Sequence, residues 1–372
     1  MNRDELSAWL RLCATEGMGN EQVRRLLAAF ASPQAVLAAS SAARAQIVGQ
    51  ERAEALARPP AGFERQLATT LEWLDSRDDS GADRRILVLG DAAYPPGLLA
   101  LDDPPLMLYL LGRPLPGPET VGIAIVGTRN PTPQGVLDAR AFARHFVDSG
   151  LCVVSGLAQG IDGAAHEGAL DAGGPPEHNA TVAFVGTGLD RVYPRQHRAL
   201  AHRIAAGGCL VSEYALGTPP LPHNFPRRNR LIAGLSQGTL VVEAAQPSGS
   251  LITARLASEQ GKEVFAIPGS IHAPQSRGCH ALIRQGAKLV ESAQDVLEEL
   301  RLPSAPVGVA TADGLPDDPL LDAMGHAPVG VDALVARTGI AAHDIQVRLL
   351  ELELDGRVGR LTGGLVQRLA VA

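Results

Sequence analysis

Gly122-Ile123-Ala124-Ile125-Val126-Gly127-Thr128-Arg129 is the stretch that decides the fold of this chain. Four apolar residues in a row, closed by a glycine, leave no polar face for water. A strand of that kind is covered on both sides, as in a parallel sheet packed between helices. The same pattern recurs across the central block, 86–300, which RILVLG opens. It returns in LCVVSG (151–156), TVAFVG (181–186), CLVSEY (209–214), TLVVEA (239–244), EVFAIPG (263–269) and AKLVES (287–292). Most of these runs precede a helix-length segment. The spacing predicts an α/β domain with an extended Rossmann-like, doubly wound, mostly parallel sheet. Proline-rich DDPPLMLYLLGRPLPGP (102–118) is expected as an extended lead-in to it.

The flanks read differently. In residues 1–75, Leu6, Trp9, Leu10 and Cys13 recur at helical spacing, as do Val23, Leu26, Leu27 and Phe30 beyond Gly17-Met18-Gly19. Two layouts fit: a helix-hairpin-helix whose turn amides hold a phosphate, or a helical packing domain with a glycine cap. Nine acidic against eight basic residues favour the packing domain. SRDDSGADRR (76–85) and RLPSAPVGVATADGLP (301–316) are expected linkers. The 317–372 block carries helical patterns at Leu320–Met324, Val331–Thr338 and Ala342–Asp355, then two short strands around Gly363-Gly364. That order is a winged-helix arrangement. Its third helical pattern has more acids than arginines, whereas a DNA-reading helix turns Arg or Lys towards phosphates. A module for protein contact or for packing is expected here instead.

Charge narrows the function. The 372 residues hold 33 Lys plus Arg against 40 Asp plus Glu, a net −7, which excludes bulk electrostatic coating of nucleic acid or membrane. No apolar window approaches a membrane span, and MNRDELSAWL lacks the apolar core of a signal peptide. Four cysteines without a C-x-x-C pair read as small buried hydrophobes in a reducing compartment. A cytosolic protein is expected. Its positive charge is concentrated: between Arg195 and Arg230 six Arg face one acid, Glu213, giving +5 within a central block of net −3. Most of it lies in Pro222-His223-Asn224-Phe225-Pro226-Arg227-Arg228-Asn229-Arg230. Arg forks hold phosphates bidentately and a neighbouring ring stacks on an unpaired base. The competing reading buries Arg228 or Arg230 in ion pairs with Asp162, Glu213 or Glu243.

Ligands of parallel sheets collect where strands end and helix amides begin. Such junctions fall at Gly127-Thr128-Arg129, between Ser155 and Asp162, at Gly186–Asp190 before Tyr193-Pro194-Arg195, and at Ser248-Gly249-Ser250. A dinucleotide fingerprint fails: Arg191 stands at the third glycine position after Gly186-Thr187-Gly188, and Arg129 at the second after Gly127. Walker, nucleophile-elbow and metal-ligand patterns are missing too, so no cofactor is expected. Asp162, Asp190, Glu213 and Glu243 could serve acid–base chemistry. Gly238–Glu243 is one residue longer than the G-T-x-x-E of nucleotide phosphoribohydrolases. A nucleotide hydrolase using Glu243 or Asp162 as base is therefore the alternative to a non-enzymatic binding protein.

Taken together, YPPGLLALDDP (94–104), IVGTR (125–129), SGLAQGID (155–162), TVAFVGTGLDRVYP (181–194), SEYALG (212–217), FPRRNRLIAGLS (225–236), VVEA (241–244), SGSLITA (248–254) and VFAIPGS (264–270) resemble the DNA-processing protein A family, DprA or Smf. The resemblance implies a single-stranded-DNA-binding homodimer, paired through its central domain, that helps load a RecA-type recombinase during natural transformation. It also implies a sterile-alpha-motif-like domain over 1–75 and a winged helix over 317–372. By position, Arg129 and Arg195 would hold phosphates, Phe225 would lie against a base, and Gly249 and Ser250 would offer amides. The whole candidate nucleic-acid site comprises Gly127, Thr128, Arg129, Ser155, Gly156, Gly160, Tyr193, Arg195, Phe225, Arg227, Arg228, Asn229, Arg230, Ser248, Gly249 and Ser250. Two positions depart from the family pattern: Thr128, where Ser is commoner, and His280, where Asn is usual.

Overall fold

The computed structural model describes residues 1–76, 82–172, 179–303, 318–325, 328–361 and 363–369. The expected 301–316 linker and the insertion-like stretch GGPPEHNA (173–180) fall largely outside the described residues.

Among those residues, nine strands form the central sheet. They are β1 (Arg84–Val88), β2 (Met107–Gly112), β3 (Gly122–Val126), β4 (Cys152–Ser155), β5 (Thr181–Phe184), β6 (Cys209–Ser212), β7 (Gly238–Val241), β8 (Glu263–Ala266) and β9 (Lys288–Leu289). Their order is β1-β2-β6-β5-β4-β3-β7-β8-β9. Strands β3 to β9 pair in parallel, while β1 with β2 and β2 with β6 are antiparallel. From β3 the chain winds outward through β4, β5 and β6, then returns to the other side of β3 as β7. The sheet is doubly wound, with its switch point between β3 and β7.

The alternation of side chains along a strand explains the apolar runs. Ile123 and Ile125 point into a core with Phe142, Phe146 and Ile161, from helices Pro133–Asp148 and Ile161–Leu170. Ala124 and Val126 point the other way, towards Ile232 and Ala254 of helices Asn224–Leu235 and Gly249–Glu259. The 102–118 segment corrects the expected lead-in: Met107–Gly112 is a wholly buried inner strand. Its prolines lie outside the ladder, where no donor is required.

At the N-terminus, helices run from Arg3–Ala14 to Phe63–Asp75 and pack on β2. Leu6, Trp9, Leu26 and Trp73 share one core with Met107, Tyr109 and Leu111, and the Trp73 and Tyr109 rings meet edge to face at 5.8 Å. The Gly19 amide donates to Gln22 Oε1 at 3.1 Å, so the glycine turn caps its own helix. Of the cysteines, Cys152, Cys209 and Cys279 are buried, whereas Cys13 is exposed, contrary to expectation.

The C-terminal helices Pro319–Met324, Val331–Thr338 and Ala342–Leu354 pack with strands β10 (Val329–Gly330), β11 (Val358–Arg360) and β12 (Leu365–Arg368) as a winged helix. Leu320, Leu334, Ile345, Leu349, Val358 and Val366 form its own core. Among the described residues no helix is long and apolar enough to cross a membrane.

Candidate functional site

A cavity of about 500 Å³ opens at the carboxyl ends of β3 and β7. Its position is the switch point, where neighbouring connections leave in opposite directions and part from each other. The Gly127-Thr128-Arg129 turn forms one wall. The Thr128 amide donates to Glu243 O at 2.7 Å, which ties this turn to the chain leaving β7. Gly160 braces it from behind. With φ at +81°, Gly160 turns the chain into the Ile161–Leu170 helix, and a Cβ there would lie 2.4 Å from Thr128 O. Arg129 is exposed at the rim.

The opposite wall is the N-terminus of the Gly249–Glu259 helix. Ser248 caps it, accepting from the Ser250 amide at 3.3 Å, and the Ser248 and Ser250 hydroxyls pair at 2.7 Å. Gly249 presents bare backbone with open space before it. The Gly249 amide, the positive end of a helix dipole and two hydroxyls make this wall receptive to an anion.

The Asn224–Leu235 helix supplies the third side. Phe225, Arg228, Asn229 and Ile232 all line the cavity, at the i, i+3, i+4, i+7 spacing of one helical face. Phe225 stands 5.4 Å from the Tyr193 ring, at 40°, which places two aromatic surfaces side by side at the mouth. Asn229 Nδ2 donates to Gly249 O at 3.3 Å and so joins two walls. Arg228 is buried. Its guanidinium donates to the Gly156 and Phe184 carbonyls, which holds the ends of β4 and β5 together. Burial lowers its pKa to about 10, partly offset by Asp162. Gly156 is required for that approach, since a Cβ would sit 2.6 Å from the guanidinium carbon. Asp162 lies on the floor and accepts from the Ala158 amide at 3.3 Å. Burial pushes its carboxyl up, against the opposing pull of Arg228.

The cavity thus gathers ten of the sixteen candidate residues: Gly127, Thr128, Arg129, Tyr193, Phe225, Arg228, Asn229, Ser248, Gly249 and Ser250. The other six lie elsewhere. Ser155 is buried and donates to Ile125 O at 2.7 Å, fixing strand to strand. Gly156 and Gly160 act from behind the walls, as described. Arg195 is exposed on a 3-10 turn two residues beyond Tyr193. Arg227 faces Asp103 at 3.7 Å, and Arg230 is held by Glu213 at 2.5 Å with little exposure of either side chain. For Arg230 the ion-pair reading replaces the phosphate reading. Sequence reasoning missed Asn130, Thr253 and the prolines 220, 222 and 247 in the lining. Asn130 could have been found, since it directly follows the Gly-Thr-Arg turn. The prolines belong to loops whose path no local pattern sets.

The four candidate acids also separate. Asp190 is tied to the Gly217 amide at 2.8 Å and to Arg191, and Glu213 to Arg230. Glu243 accepts from Thr132 N and Oγ1 at 2.9 and 2.6 Å, holding the residue that caps the Pro133–Asp148 helix, and does not line the cavity. A base role for Glu243 is therefore corrected to a structural one. Away from the cavity, His280 Nε2 lies 3.0 Å from Gly269 O, so this departure from the family pattern holds a turn.

Fold and cavity define a class: a Rossmann-type α/β protein with an anion-receptive site at its switch point and a winged helix appended. The chain belongs to the DNA recombination-mediator protein A family, whose model matches residues 85–301; the DprA winged-helix model matches 304–364. Protein Smf of Escherichia coli K12 is 38% identical over 371 residues, covering 96% of this chain and 95% of that protein. The X-ray structure of DNA processing protein A from Streptococcus pneumoniae superposes with a TM-score of 0.66 at 34% identity, over 80% of this chain and 98% of that one. The Helicobacter pylori protein, whose structure concerns its single-stranded DNA binding mode, gives 0.52 at 30%, over 60% and 97%.

Proposed function

We propose that this chain binds single-stranded DNA in the switch-point cavity and acts as a recombination mediator. The observation that carries this reading is the meeting, in one cavity, of the Gly-Thr-Arg turn, the Gly249–Glu259 helix N-terminus and the Tyr193–Phe225 ring pair. A phosphate would sit between Arg129 and the Gly249 amide, beside the Ser248 and Ser250 hydroxyls, with the next base against Phe225. Arg195 would meet the backbone outside the cavity. Ring stacking serves unpaired bases of any sequence, at about 1–3 kcal/mol per base. A duplex keeps its bases stacked inside and gains none of it. The buried Arg228 adds fixed positive charge beneath the floor.

Membership of the family supports the larger role. A cytosolic homodimer, paired through the central domain, would protect incoming strands and pass them to a RecA-type recombinase during natural transformation. The test is fluorescence anisotropy of a labelled oligonucleotide against salt. Arg129→Ala should weaken binding and reduce the slope of log K against log salt by about one phosphate contact, roughly 0.7 for single strands. Unchanged affinity and slope in both Arg129→Ala and Arg195→Ala would sink the assignment.

A further inference from the structure

We propose that the outer face of the Ala342–Leu354 helix is a docking site for a basic amphipathic helix of a partner protein. This does not rest on the DNA-binding reading. The helix buries Ile345, Leu349 and Leu352 in the winged-helix core. On the side turned away from that core, Val347, Leu350 and Leu354 are 57%, 52% and 80% exposed. Their i, i+3, i+7 spacing makes a continuous apolar ridge about 10 Å long at 1.5 Å per residue. Three large apolar residues at this spacing on a free helix face mark a contact surface, unlike single exposed leucines scattered elsewhere.

The border of the ridge selects its occupant. Asp344, Glu351 and Asp355, at i, i+7, i+11, run along one edge, and all are exposed. The single Arg of this helix, Arg348, is turned away towards Asp318 at 3.8 Å. Apolar anchors beside an acidic margin complement a helix with leucine-type residues on one side and Lys or Arg flanking them. A nucleic-acid backbone would meet like charge along this edge. A second copy of the chain would set acidic margin against acidic margin, while the two basic side chains of the helix already face acids of their own chain, His343 at 3.0 Å from Asp344 and Arg348 at 3.8 Å from Asp318.

The test uses the full chain and a fluorescein-labelled amphipathic peptide with Leu at i, i+3 and i+7 and Lys flanking them. A scrambled peptide of the same composition separates docking from attraction to the chain's net negative charge. The ordered peptide should bind saturably, and the exposed double variant Leu350→Ala/Leu354→Ala should weaken it about tenfold or more. Glu351→Gln should weaken it less and flatten its salt dependence. Circular dichroism and affinity for single-stranded DNA should not change in either variant. Equal binding of the ordered and scrambled peptides, or of the ordered peptide to wild type and double variant, would overturn the proposal. So would self-association that the double variant abolishes, which would assign the ridge to a second copy, or competition by duplex DNA.

Discussion

Among the described residues that line the cavity, Asp162 alone carries a carboxylate, and a site built for phosphate gains nothing from a negative charge on its floor. Burial raises its pKa, while Arg228 and the Ala158 amide pull it back. With the pKa raised, protons are taken up at a higher pH than by a free aspartate. Acidification therefore removes negative charge from the cavity before it would neutralise a free aspartate, and should tighten single-stranded DNA binding. In Asp162→Asn the gain should already be present at pH 7 and the pH dependence lost. Anisotropy titrations at fixed ionic strength measure both, and the same pH slope in wild type and variant would remove Asp162 from the binding energetics. The neighbouring arginines show what sequence reading can resolve at this scale. Arg227, Arg228 and Arg230 form one basic cluster on paper, yet the helical period sends Arg228 inward beside Phe225 and Asn229. It sends Arg227 and Arg230 towards Asp103 and Glu213. The period was legible. Which face met the cavity was not, because the two acids arrive from distant segments.

At the scale of elements, the cavity walls depend on one turn pressing on another. Gly160→Ala puts a Cβ 2.4 Å from the Thr128 carbonyl, at a φ that side chains avoid, so the Gly-Thr-Arg turn must move. Overpacking of this kind costs about 1–3 kcal/mol. The variant should lose that stability in chemical denaturation and lose DNA affinity with it. Gly261→Ala is the control. Its φ of +70° carries the backbone cost, of about 1 kcal/mol, but open space surrounds the new methyl, so DNA affinity should stay. If both variants bound DNA equally, the turn would not be the element that shapes the site. The parallel strands could be read directly because burial on both faces leaves an uninterrupted apolar run. β2 carries the same run in MLYLLG, but the prolines around it mimic an extended lead-in. Only its pairing with β1 and β6 shows that the prolines lie beyond the ladder.

At the scale of the molecule, cores decide what folds together. The N-terminal helices read as a separate block, since an amphipathic helix does not say what its apolar face will meet. In the structure that face meets β2: Leu6, Trp9, Leu26 and Trp73 lie in one core with Met107, Tyr109 and Leu111. Polar links reinforce the contact, with Arg24 paired to Asp103 at 3.2 Å and Asn20 to Glu213 at 3.2 Å. The winged helix has its own core, and its wing touches the central block where Gly359 packs on Pro133. Calorimetry of the full chain should therefore show two transitions, one for residues 1–303 together and one for the winged helix. Removal of 318–372 should abolish the winged-helix transition and leave the other close to its original midpoint. Removal of 1–75 strips apolar cover from Met107, Tyr109 and Leu111, and should lower the midpoint of the α/β transition and promote aggregation. Three separate transitions, or an unchanged α/β midpoint without residues 1–75, would show that the helical block folds on its own and merely rests on the sheet.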